Sequence, residues 1–184
     1  DGERLTETQW QQVQIDRLIQ QTRLLAHDLS DMRARLVDSF RASYVRASEA
    51  ERPELLQSFL ADPVPAIRLL GLDLVQRHLS EGKQLSPEVA TLVRSLLGDA
   101  ETEVRVAAVQ AVAGLRDAAD ASRFLELLTR EHHEPLRRAL VNALGYVGNA
   151  DAAEALLAIL RKQNDPCSLE AVSAIGRLAE RGVL

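Results

Sequence analysis

What this sequence has little of narrows it first. Aromatic residues make up only 3% of its 184 positions, and cysteine occurs once, at Cys167. One thiol can neither close an internal disulfide nor supply a zinc-binding cluster, which excludes a stapled or metal-nucleated small fold. Base is not in excess either: 27 acidic residues face 22 basic ones, a net charge of −5. Such a chain has no overall field to draw in phosphate backbones, so nucleic acid is not expected as its partner. No apolar run approaches the ~20 residues that cross a bilayer, and the first residues form neither a basic nor a hydrophobic leader. The sequence opens Asp1-Gly2 and closes at Leu184 inside a helical pattern. The expectation is therefore a fragment, soluble in itself, with any signal or anchor lying outside it and the cytoplasm as default compartment.

What is abundant is aliphatic. Hydrophobic residues reach 46%, and with so few aromatics the interior must be built from Leu, Ala, Val and Ile, an inventory suited to closely packed helices. From Thr8 to Ala47 there is no proline or glycine, which predicts one long helix. Along it Ile15, Leu18, Thr22, Leu25, Leu29, Met32 and Leu36 alternate in steps of three and four. That heptad stripe needs a partner surface. Beyond Leu36 the apolar positions move to Phe40 and Tyr44, the phase change of a helix that leaves a coiled-coil partner for a globular body. Residues 1–47 are read as this helix, a coiled coil or a cap, with self-association into a homodimer through Ile15, Leu18, Leu25, Leu29, Met32 and Leu36.

Residues 48–184 repeat. An acidic residue is followed by an aliphatic five places on and an arginine six places on in Asp62…Ile67-Arg68, Asp99…Val104-Arg105 and Glu131…Leu136-Arg137. The acids are 37 and then 32 residues apart, the period of stacked helix pairs. Ser48-Glu51 has the form of a capping box and Pro53 suits a first turn. The predicted pairs are Pro53–Leu60 with Asp62–Leu79, Ser86–Gly98 with Asp99–Leu115, a helix after Asp117 with His133–Val147, and Asp151–Lys162 with a last helix after Asp165-Pro166.

These residues resemble HEAT repeats, in particular the short PBS-lyase HEAT-like (armadillo-type) variety. The resemblance rests on the acid–aliphatic–arginine signal, on Ala143-Leu144-Gly145 recurring as Ala174-Ile175-Gly176, and on Asp120-Ala121 recurring as Asp151-Ala152. It spans roughly residues 53–184. It implies an all-α, right-handed α-solenoid of about four helix pairs, preceded by the long N-terminal helix. The fourth unit departs from the pattern, with Ser168 in place of the arginine.

Candidates for chemistry are thin. In arrays of this kind the acid and arginine of successive repeats commonly bond to each other, so Arg68, Arg105 and Arg137 are expected to be structural, with the acids capping helix N-termini. His133-Glu134 is similar to a dipeptide with which HEAT-type deoxyhypusine hydroxylases hold iron. Metal chemistry needs several such ligands to converge, but the matching place elsewhere holds Thr102-Glu103, and His27 and His78 lie outside the motif. Cys167 beside Pro166 is expected to be a packing group rather than an activated thiol. Trp10 stands alone, which disfavours a base-flipping groove. No catalytic residue, metal or cofactor is expected.

Superposing the second helices of the pairs brings Asp73, Gln110, Asn142 and Ser173 to one level, and Leu69, Val106, Arg138 and Leu169 to another. If Val104, Ala108, Ala111 and Val112 face the core, Val106 and Gln110 lie on the opposite stripe. In HEAT-like solenoids these helices line the concave face. The two rows are the expected binding site of a protein or peptide partner, and the chain is read as a non-catalytic scaffold or adaptor. A phycobilin-lyase-like enzyme or enzyme subunit, implied by the family name alone, is the alternative. A nucleic-acid-binding HEAT-like protein comes third, disfavoured by charge.

Overall fold

The structure, a computed structural model, describes residues 6–184; the first five positions of the expected N-terminal segment lie outside the described residues. The described chain is all-helical. It divides into two compact units between Arg46 and Ala47.

The first unit is α1, Glu7–Arg46, one helix of 40 residues, about 60 Å long at 1.5 Å per residue. The absence of Pro and Gly lets it run unbroken. None of its residues is buried. Ile15, Leu18, Leu25, Leu29, Met32 and Leu36 are all exposed, as are Ile19, which flanks the stripe, and Leu24, which lies off it.

The second unit is four helix pairs: α2 Arg52–Leu60 with α3 Pro65–Ser80, α4 Pro87–Ser95 with α5 Thr102–Leu115, α6 Asp120–Arg130 with α7 Glu134–Val147, and α8 Ala150–Arg161 with α9 Ser168–Glu180. A 3-10 turn, Leu96–Gly98, leads out of α4. Proline stands in the first turn of α2, α3, α4 and α7, where its missing N–H is no loss. Ser86 and Asn149 cap α4 and α8 by accepting from the amides of Val89 and Ala152. At Ser48 only half of the expected box forms. Glu51 accepts from the Ser48 amide and hydroxyl at 2.9 and 2.7 Å, but α2 begins only at Arg52.

The second helices stack as one layer, α3 on α5, α5 on α7 and α7 on α9, more intimately than the first helices do. Small residues permit this. Val104, Ala108, Ala111 and Val112 are fully buried, as the periodicity predicts. At Gly145 an added Cβ would lie 2.8 Å from the Ala174 backbone, so glycine is what lets α7 and α9 approach. In the first layer Arg94 of α4 grips the buried Asp120 of α6 with two bonds of 2.8 and 2.9 Å.

The stack ends on an open face. Val141 of α7 is fully buried, whereas its repeat equivalent on α9, Val172, is 57% exposed. Gly176, the equivalent of Gly145, has nothing within 4 Å of an added Cβ. Among the described residues no helix is long and apolar enough to cross a membrane.

Candidate functional site

The recurring acids and arginines build the joints between repeats. Each acid folds the chain into a turn by accepting the amide two residues on: Val64 N–H donates to Asp62 at 2.8 Å, Glu101 to Asp99 at 2.9 Å, His133 to Glu131 at 2.8 Å and Cys167 to Asp165 at 2.9 Å. The acids were expected to open and cap the helices directly. Instead the bonded amide belongs to the residue that precedes the helix, and α3, α5 and α7 begin three residues beyond the acid. An Asx-type turn competes with the first helical turn for the same backbone.

The arginine six places on reaches back to the acid's own carbonyl. Arg68 and Arg105 donate to the Asp62 and Asp99 carbonyls at 2.8 Å, and Arg137 to that of Glu131 at 3.3 Å. Two of the three then reach forward to the next repeat, Arg68 to Asp99 at 2.8 Å and Arg137 to Asp165 at 3.7 Å. Arg105 turns to the Thr102 hydroxyl instead. Burial pushes the Asp99 carboxyl up, but the Arg68 guanidinium and the Glu101 amide outweigh it and hold the group below its ordinary value. Glu131 is also held low, chiefly by the His133 amide. These arginines are spent on architecture.

The other single residues stay isolated. His132 and His133 lie exposed in the turn that Glu131 closes, and among the described residues no three His, Cys, Asp or Glu side chains converge as the ligands of a metal ion would. Cys167 is fully buried, and burial pushes its thiol up, the opposite of activation. Trp10 is exposed on α1.

The second-helix layer carries a groove of about 330 Å³ across α3, α5 and α7. Gln110 and Asn142, two members of the predicted polar row, line it together with Gln76, Arg116 and Tyr146, and its floor is alanine and glycine. Asp73 and Ser173 are exposed but lie outside it; Asp73 is paired with Arg77. None of the second row lines it. Leu69 and Val106 are half-buried and Leu169 is exposed, while Arg138 is bonded to Glu134 at 2.6 Å and Glu170 at 3.1 Å.

Two guanidinium groups lie over the Tyr146 ring, Arg116 at 5.7 Å and Arg177 at 4.5 Å from its centre. Arg177 also donates to the Asn142 side chain and to its carbonyl, fixing that amide at the groove edge. Sequence reasoning missed Gln76, Arg116, Tyr146 and Arg177. The one available signal was a tyrosine directly after Gly145 in a chain with only two.

Residues 89–176 match the family model of HEAT repeats. That model covers HEAT repeats at large and does not single out the PBS-lyase variety. No curated protein matches the sequence. The match runs from α4 to α9, so residues 89–176 of this chain are HEAT repeats, with the α2–α3 pair standing before them.

Proposed function

We propose that the chain is a non-catalytic scaffold that binds a protein segment along its second-helix layer, the concave side of the array. HEAT repeats commonly serve as protein-interaction scaffolds. The observation that carries the reading is the groove of Gln76, Gln110, Asn142 and Tyr146 on that layer. Side-chain amides both donate and accept, and so match the alternating groups of a peptide backbone. In the same reading α1 pairs with α1 of a second copy, because its exposed stripe has the heptad spacing of a two-helix seam.

Panning a library of short displayed peptides on the protein tests the groove. Selected peptides should bind the wild type and weaken several-fold on Gln110→Ala. Thr129→Ala, an exposed change on α6, should leave them unaffected. Selection of nothing above background, or of peptides indifferent to Gln110, overturns the proposal.

A further inference from the structure

Although the chain is acidic overall, with a net charge of −5, its groove is not. No carboxylate lines it. Several arginines elsewhere in the repeat body are matched by acids, Arg68 by Asp99, Arg94 by Asp120 and Arg138 by Glu134 and Glu170, while Arg105 is held by carbonyls and the Thr102 hydroxyl. Around Tyr146 that matching stops. Arg116 and Arg177 contact the ring, and Arg177 hydrogen-bonds to Asn142. Arg181, which follows α9, donates to the backbone carbonyls of Gly145 and Gly148. Among the described residues none of these three guanidinium groups has a carboxylate partner.

Arg116 is also held in an unusual backbone conformation. It ends α5 with φ 55° and ψ 28°, the left-handed region, where glycine is the ordinary residue because a Cβ meets the carbonyl there. Of the four described residues with positive φ, two are glycines and one is asparagine, which tolerates the region. Arg116 alone accepts the strain with a long side chain. A residue held against its conformational preference at the rim of a groove suggests a role for that side chain. Its guanidinium carbon lies 5.7 Å from the centre of the Tyr146 ring, and a guanidinium beside an aromatic face is able to grip a carboxylate through two parallel bonds.

From this cluster we infer that the groove takes an acidic protein segment, with a Glu or Asp side chain of the partner seated on Arg116 and its backbone on Gln110 and Asn142. The inference rests on the groove being the binding site. Charge complementarity chooses the occupant: the cations gather beside one ring instead of tracking along the array, as a nucleic-acid backbone would require.

Calorimetric titration of the whole chain with three synthetic peptides tests it: one alternating Glu with Leu and Ala, and the same peptide with Gln or with Lys in place of Glu. The Glu peptide should bind at least about tenfold tighter than the Gln peptide and weaken with salt, and the Lys peptide should not bind. Arg116→Gln should remove most of the difference and Arg116→Glu should reverse it, with no fall in melting temperature. Equal affinity for the Glu and Gln peptides, with both sensitive to Gln110→Ala, overturns the acidic occupant and leaves the groove as a site. Tighter binding of a single-stranded oligonucleotide that Arg116→Glu abolishes also overturns it. Failure of every peptide to show Gln110 dependence removes the groove itself.

Discussion

Arg68 and Asp99, 31 residues apart, meet across the joint between α3 and α5 as an ion pair of 2.8 Å, with only 13% and 7% of their side chains exposed. The same guanidinium donates to the Asp62 carbonyl. One side chain thus closes the turn into its own repeat and fastens the next.

Removing one partner leaves the other charge buried and alone. Asp99→Ala and Arg68→Ala should each lower unfolding free energy by about 3 kcal/mol. Arg123→Ala, which breaks an exposed pair with Glu126, should change it by less than about 1 kcal/mol. Arg105→Ala falls between, at about 1–2 kcal/mol, because its guanidinium bonds only to neutral carbonyl and hydroxyl acceptors and closes no carboxylate pair. Urea unfolding followed by circular dichroism gives all four values.

The pH dependence has a definite sign. The carboxyls of Asp99 and Glu131 are held below their ordinary values in the folded chain, so the unfolded chain binds protons more readily. Their stabilisation is complete above the unfolded values, about 4, and is lost as pH falls through the folded ones. Unfolding midpoints should therefore be flat around neutrality and drop below about pH 4. Asp99→Asn, already less stable at neutral pH, should show a shallower drop.

Matched glycines report the stacking. Gly145→Ala forces a methyl against Ala174 and should destabilise by about 1–3 kcal/mol. Gly176→Ala meets open space and should stabilise α9 by about 0.5–1 kcal/mol, the ordinary helical preference for alanine. Thermal melts of the two variants should move in opposite directions.

For α1, sedimentation equilibrium should show a dimer at micromolar concentration that Leu25→Glu dissociates, since the seam would otherwise bury an unpaired charge. A wild-type monomer across that range overturns the pairing.

How much of this was legible in the residues depends on the distance over which each feature is determined. Helix ends set by local chemistry were readable: Pro53 and Leu60, Ser86, Gly148-Asn149 and the Pro-free run to Ala47 all mark boundaries within a residue or so of α2, α4, α8 and α1. The starts of α3 and α5 were read three residues early because Asp62 and Asp99 use their side chains in turns, whereas α7, read from His133, begins one residue later at Glu134. Gln110 and Asn142 could be placed together because the repeat carries a register from one helix to the next. Arg116 could not: its left-handed backbone and its place over Tyr146 arise only when α5, α7 and α9 are stacked. Likewise nothing local distinguishes Arg138, held by Glu134 and Glu170, from an arginine left for a partner.

Whether an acidic segment seats on Arg116 in the second-helix groove is decided by Arg116→Gly, measured for stability and for affinity to the Glu peptide on the same sample. Glycine relieves left-handed strain of about 1 kcal/mol and removes the guanidinium. The melting temperature should equal or exceed the wild type's while the affinity falls at least about tenfold. A lowered melting temperature with unchanged affinity would contradict that seating, showing Arg116 to be part of the fold and not of the site.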